Sequence, residues 1–244
     1  MNRFKSTDKT LHFPVVKKTG NKVEADKANR ETNPGQYLGD IRFRQLLGKR
    51  GWNELPQSVQ RRFNKRVRHG ESQIYKGTVS HTHMNTIGWV LAQVLRIVGA
   101  PLPIDRANTG QAAIVTITED AKGSGQFWTR QYGRHAGFPQ IVHSSKRFAG
   151  PTGLEEYIGC GIGMTLRLAV ENGVLLFLHD RYFFTLFGTR LYLPKFLEPG
   201  TLTVSHTDGG KCRDGRWFEF GLQLVHPWFG QLFNQRVMFK DTEI

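Results

Sequence analysis

The chain has 244 residues, with 34 Lys and Arg against 20 Asp and Glu, a formal net charge of +14. Hydrophobic residues make up 39% and include 17 Phe and 5 Trp, enough apolar mass for a core, which excludes wholesale disorder. Two cysteines, Cys160 and Cys212, exclude a disulfide framework and a Cys-rich zinc site, and no run of about 18 apolar residues offers a spanning helix.

Residues 1–36 are polar and broken, with eight Lys and Arg against four Asp and Glu, and read as a flexible tail. The start, MNRFKSTDKT, lacks an apolar stretch, so no secretory signal is expected. Together with the sparse cysteines this predicts a reducing, cytoplasmic setting. Residues 37–244 read as one β-rich domain. Its first clear helix starts at Leu55-Pro56, because proline suits a first helical turn. Leu55, Val59, Phe63 and Val67 recur every four residues and form an apolar stripe. Arg61, Arg62, Lys65, Arg66 and Arg68 cover the rest, and Gly70 ends the segment. Met84–Val98 reads as a second helix, apolar enough to be buried, stopped by Gly99 and Pro101.

A strand over 72–83 precedes that helix. After it, strands are predicted over 111–119, 126–132, 139–148, 153–158, 163–171, 173–187, 200–207, 215–226 and 229–239. Asn172-Gly173 marks a tight hairpin. Lys122-Gly123-Ser124-Gly125, Asp208-Gly209-Gly210 and Asp214-Gly215 mark further turns. No strand–helix–strand rhythm appears, so the fold class is α+β and mostly β. It is a curled antiparallel sheet or partly closed β-barrel, calycin- or START-like in outline, with one or two N-terminal helices packed against it.

Strand side chains alternate between faces, so parity predicts which ones point inward. Met164, Leu166, Leu168 and Val170 share a face. Phe218, Phe220, Leu222 and Leu224 share another, with His226 in phase. His206 follows Leu202 and Val204, Glu156 lies between Leu154 and Ile158, and Arg130 lies between Trp128 and Tyr132. His81 has the parity of Tyr75 and Val79. Charged groups predicted inside must be paired, and Arg130 with Glu156 is the economical pair. That pair either fixes strand register or forms the polar floor of an apolar cavity, where an acidic or carbonyl ligand group docks. A bulge would reverse any of these assignments.

Among nine His, His81-Thr82-His83 and His206-Thr207-Asp208 have spacing that metal sites use, but no third or fourth ligand is apparent, and no metal or cofactor is expected. No recognised nucleotide, zinc-protease or serine-hydrolase motif occurs. Gly159-Cys160-Gly161-Ile162-Gly163 reads as a bend between strands, with Cys160 a small core residue. Glu156 with His206 or His226 would serve as an acid–base pair if the fold joined them. Arg61–Arg68 offers either a solvated helix face or a docking surface for anionic membrane; the lack of nucleic-acid motifs disfavours DNA or RNA.

Several short motifs occur in order. They are Leu55-Pro56-x-x-Val59-Gln60-Arg61-Arg62-Phe63, Trp128-Thr129-Arg130, His143-Ser144-Ser145-Lys146-Arg147-Phe148, Gly153-Leu154-Glu155-Glu156-Tyr157-Ile158-Gly159, Leu193-Pro194-Lys195-Phe196-Leu197 and His226-Pro227-x-x-Gly230. As a set they resemble the uncharacterised bacterial family called domain of unknown function 4166, over roughly residues 50 to 240. The resemblance places Trp128, Arg130, Ser144, Glu156 and Gly159 in the family pattern. Members occur alone or joined to a saccharopine-dehydrogenase-like domain, so it allows for an NAD(P)-binding redox partner. The leading expectation is non-enzymatic binding of a small, lipid-like apolar molecule in the concave sheet, with Arg130, Glu156, His206, His226, Ser144 and Trp128 as candidate polar contacts. An enzyme using Glu156, Arg130 and a His, and a basic surface module, are the alternatives.

Overall fold

The structure is a computed structural model describing residues 40–99, 101–212 and 215–241. The predicted tail over 1–36 and the Asp214 turn residue lie outside the described residues. The described residues hold eleven strands, ten of them in the predicted order and β8 not predicted: β1 (Ser72–Met84), β2 (Ala112–Asp120), β3 (Gly125–Tyr132), β4 (Gln140–Arg147), β5 (Glu155–Gly159), β6 (Ile162–Glu171), β7 (Val174–Leu186), β8 (Thr189–Tyr192), β9 (Thr201–Cys212), β10 (Gly215–His226) and β11 (Gly230–Asp241). Every pairing is antiparallel. Each strand pairs with the next in sequence except β8, which pairs with β7 alone; β7 pairs with β9, and β11 returns to β1. Ten strands therefore close into a barrel, and β8 hangs from the far end of β7. Closure pairs every strand of the ring on both sides and so removes its open edges. No described helix is long and apolar enough to cross a membrane.

Local chemistry explains the ring. Asn172-Gly173, Cys160-Gly161 and Phe187-Gly188 all hold positive φ at both positions, the two-residue turn whose twist matches flanking strands. Cys160 is thus an exposed turn residue, not a core one. Asp208-Gly209-Gly210 is not a turn. β9 runs through it with a register shift opposite Arg216/Phe218, and Gly210 at φ 78 absorbs the extra residue as a bulge. β8 has only four residues between Gly188 and Pro194, too short to show a period in the sequence.

Among the described residues three α-helices pack on the barrel. The first, α1 (Arg42–Glu54), breaks at Gly48 (φ 69) and buries Phe43 and Trp52. Its two glycines and dense cations hide its period in the sequence. α2 (Gln57–Asn64) is shorter than predicted, because Lys65 turns to extended backbone. The stripe of Leu55, Val59, Phe63 and Val67 is nevertheless wholly buried. α3 (Thr86–Leu95) is capped by Asn85, whose side chain accepts from the Gly88 N–H at 2.7 Å. The expected burial of α3 is not found. Only Gly88 and Ala92 are fully buried, Leu91 and Leu95 are half-buried, and Ile87, Trp89, Val90 and Val94 are exposed. The helix meets β11 along one narrow line, where a Cβ on Gly88 would overlap the Leu232 carbonyl oxygen.

α2 leads into the start of β1 and α3 leaves from its end, so the two lie at opposite ends of the barrel. A ten-stranded ring is wider than the eight-stranded ring that side chains just fill. At the α2 end the extra width is filled by aromatic side chains from outside the ring. Phe43 meets Phe63, Phe148 and Phe177 edge-on, at centroid distances of 5.1, 4.9 and 6.2 Å. We expect Gly88→Val to push α3 off β11 and lower stability in urea by about 1–3 kcal/mol, as overpacking does. An unchanged unfolding midpoint would show that this contact does not hold the helix.

Candidate functional site

At the α3 end the ring is not filled. A cavity of about 350 Å³ lies inside it, bounded by α3, the segment after β8 and the ends of β6 and β7. Its walls are apolar, formed by residues such as Ile158, Met164, Leu202, Val204, Leu222 and Leu224. His143 and Tyr182 stand among the lining residues, and three further polar side chains line it together: Arg130 on β3, Ser144 on β4 and Glu156 on β5. Register brings them together, since Ser144 pairs across from Trp128, Arg130 from Val142, and Lys146 from Glu156.

All three are buried, as is Lys146 beside them. The Ser144 hydroxyl donates to Glu156 Oε1 at 2.6 Å, and Arg130 Nη2 donates to Ser144 Oγ. Arg130 Nη2 also reaches Glu156 Oε1 at 3.4 Å, and Lys146 Nζ sits 2.9 Å from Glu156 Oε2. Burial by itself would raise the Glu156 pKa. The charges of Lys146 and Arg130 and the Ser144 hydrogen bond outweigh it and bring the carboxyl down to about 2. Burial pulls Lys146 below its ordinary value, with Glu156 partly offsetting it. Arg130 Nε is buried without an acceptor. The cluster therefore holds two basic side chains against one carboxylate and has a spare N–H donor.

The predicted candidates divide between two places. His206 and Trp128 are inward and buried but line a separate void of about 30 Å³ at the α2 end, with Arg62 and Tyr75. There the His206 ring meets Phe63 at 4.9 Å and Phe220 at 5.1 Å. Burial first, then the charges of Arg62 and Lys146, hold His206 well below its ordinary pKa, so it is neutral. His226 is half-buried at the β10–β11 turn, stacked on Phe229 at 4.7 Å, and its Nδ1 accepts from the Trp228 N–H at 3.2 Å. It lines neither space. Glu156 thus takes its partners from Arg130, Ser144 and Lys146, and no histidine joins it. His81 is exposed, because a bulge between Val79 and His81 reverses the strand's parity.

Arg62 departs from its predicted surface role. Its side chain is 6% exposed, its Nη1 lies 2.7 Å from Asp241 Oδ2, and its guanidinium covers the Phe218 ring. It sits on the inner flank of α2, next to Phe63. Arg61, Lys65, Arg66 and Arg68 are exposed, at the end of the barrel away from the large cavity.

Sequence reading missed Lys146, although Val142, Ser144 and Lys146 follow one another at period two. Consecutive Ser144-Ser145-Lys146-Arg147 masks the alternation. It also missed two polar clusters on the outer face. Asp120 accepts from Ser145 at 2.5 Å and Arg147 at 2.8 Å, and the wholly buried Glu155 pairs with Arg190 of β8. Among the described residues no three His, Cys, Asp or Glu side chains converge as metal ligands.

These features define an antiparallel ten-stranded barrel with an apolar cavity at one end and a buried charged cluster at the cavity's base. A family profile matches residues 55–239, which include every cavity-lining strand. The chain belongs to that family, the domain of unknown function (DUF4166). No curated protein and no solved structure matches it.

The pKa shifts yield a pH dependence. Glu156 titrates near 2 when folded against an ordinary 4.5, so its stabilisation is complete above pH 4.5 and is lost as pH falls toward 2. Glu156→Gln should cost about 2–4 kcal/mol at neutral pH, with the deficit shrinking in that window; denaturant titrations across pH measure this. His206 is also depressed, so its contribution begins to fall already below its ordinary 6.5. His206→Phe should lessen the acid slope below pH 6.5 and leave the share of His179, which burial lowers to about 4, and the Glu156 part; an identical slope in the variant would refute the assignment.

Proposed function

We propose that this barrel binds a small, largely apolar molecule with one anionic or carbonyl head group, its apolar part against the β-strand walls and its head at Arg130. The reading is carried by one observation: an apolar cavity of ligand size with a buried arginine at its base whose Nε–H lacks an acceptor. A volume of about 350 Å³ suits the smaller end of ligand cavities. The two basic side chains outnumber the one carboxylate, which favours an acceptor-bearing head over a cationic one.

Acid–base catalysis finds less support. A general acid or base near neutral pH needs a pKa near 7, and Glu156 titrates near 2 with both oxygens bonded. The two predicted histidines, His206 and His226, lie outside the cavity, and His143, which lines it, makes no hydrogen bond to Glu156.

The test combines native mass spectrometry of freshly purified protein with thermal shifts against fatty acids and the matching alcohols. The expected result is a retained apolar ligand and a saturable rise in melting temperature, larger for the acids. Arg130→Met should weaken acid binding by roughly tenfold or more. Leu222→Trp, which leaves the charged cluster intact, should block acids and alcohols alike. No retained ligand and no shift with any chain length would overturn the reading.

A further inference from the structure

The outside of the barrel is unusually apolar at the cavity end. α3 leaves Trp89, Val90 and Val94 exposed, and Ile97 just after it is 84% exposed. The tip of the β7–β8 hairpin carries Phe187 at 98%, the segment after β8 carries exposed Phe196 and Leu197, and the β10–β11 turn carries Trp228 at 77%. These connections are neighbours. Met84, where β1 ends, pairs with Phe233 just after the β10–β11 turn, and Asn85 Nδ2 donates to the Phe229 carbonyl at 3.3 Å. Leu197 and Phe184 line the cavity itself. Single exposed apolar side chains are ordinary, but large ones on four adjoining connections around a cavity form a surface that calls for a partner.

Charge indicates which partner. Residues 86–99, 184–197 and 226–230 contain no Asp or Glu, yet carry Arg96, Arg190 and Lys195. Arg190 is taken by Glu155, which leaves Arg96 and Lys195 exposed on this rim. The adjoining connections add exposed Arg106 and Arg134, and the carboxylates there, Asp105 and Glu198, are mostly buried. Aromatic side chains among cations, with no exposed carboxylate on those three segments, are the composition that suits the headgroup level of an anionic bilayer.

We propose that this rim docks on an anionic lipid bilayer. Arg96 and Lys195 meet lipid phosphates, while Phe187, Phe196 and Trp228 enter the headgroup layer. The docking deepens the binding role and, for exchange of ligand with the membrane, rests on it. The cavity then faces the phase from which an apolar molecule enters without crossing water. The basic face of Arg61, Lys65, Arg66 and Arg68 lies at the other end of the barrel and is pointed away from the bilayer.

The test uses the full chain, co-sedimented with phosphatidylcholine vesicles with and without phosphatidylglycerol. Binding should require phosphatidylglycerol, weaken with salt and shift tryptophan emission to shorter wavelength. The combined variant Phe187→Glu and Phe196→Glu should weaken it roughly tenfold or more. The combined variant Arg66→Glu and Arg68→Glu should bind within about twofold of wild type, since those residues face away. The proposal is overturned if the wild type stays in solution with both vesicles, if the rim variant binds as the wild type does, or if the α2-end variant abolishes binding. It is also overturned if sedimentation velocity shows a dimer that the rim variant disperses. Native mass spectrometry of the same samples reads ligand retention separately. Vesicle binding without a retained ligand sinks the binding role alone, and a retained ligand without vesicle binding sinks the docking alone.

Discussion

The pairing of β11 with β1 closes ten antiparallel strands into a ring, and closure sets a width that strand side chains do not fill by themselves. The two ends meet that demand differently. At one end α1 and α2 insert Phe43 and Phe63 among Phe148 and Phe177, and the remaining space shrinks to about 30 Å³. At the other end α3 rests on β11 by Gly88 and Ala92 and sends only Leu91 and Leu95 toward the interior, so about 350 Å³ stays open. The cavity is thus a consequence of strand number and of where the helices enter the chain.

Between these ends lies the charged cluster of Arg130, Ser144, Lys146 and Glu156. Four polar groups in an apolar barrel carry a desolvation cost that only dense mutual bonding offsets. Three neighbouring strands supply them, β3, β4 and β5, so register errors in any one would leave a buried charge unpaired. The same cluster therefore couples two roles. It ties the strand order of this wall together, and it places Arg130, Ser144 and Glu156 at the base of an apolar space. The aromatic cage of His206 beyond it is neutral, because burial and two nearby cations suppress its protonation.

The distribution of surface charge has its own logic. The formal +14 would suggest nucleic acid if read as a uniform property. In the folded chain, Arg62 is spent on Asp241, Arg190 on Glu155, Arg147 on Asp120, and Arg130 and Lys146 share Glu156. The cations that remain exposed are spread over both ends of the barrel. Those at the cavity end stand among exposed aromatics, and those on α2 stand among polar neighbours.

Much of this was legible in the sequence wherever the period-two pattern was clean. Trp128-x-Arg130-x-Tyr132 and Phe218-x-Phe220-x-Leu222-x-Leu224 declare their inner faces, because a strand in a closed barrel has one side toward the core and one toward solvent. That rule also placed Arg130, Glu156 and His206 inside. It failed at His81, where one bulged residue reverses the phase, and at Lys146, hidden in a run of polar neighbours. The misjudged burial of α3 has a different cause: an apolar helix is buried only if the fold has a groove for it, and this barrel offers it a single line of contact. Arg62 was misplaced because helix rotation, and not composition, decides which of two adjacent arginines faces Asp241. The sequence by itself thus determined the strand order, the inner faces and the charged residues that must find partners, since these follow from local period and turn chemistry. Only the tertiary structure decided that the ring closes, that Lys146 joins the Arg130–Glu156 pair, and that one end stays open, since these depend on contacts between segments far apart in the chain.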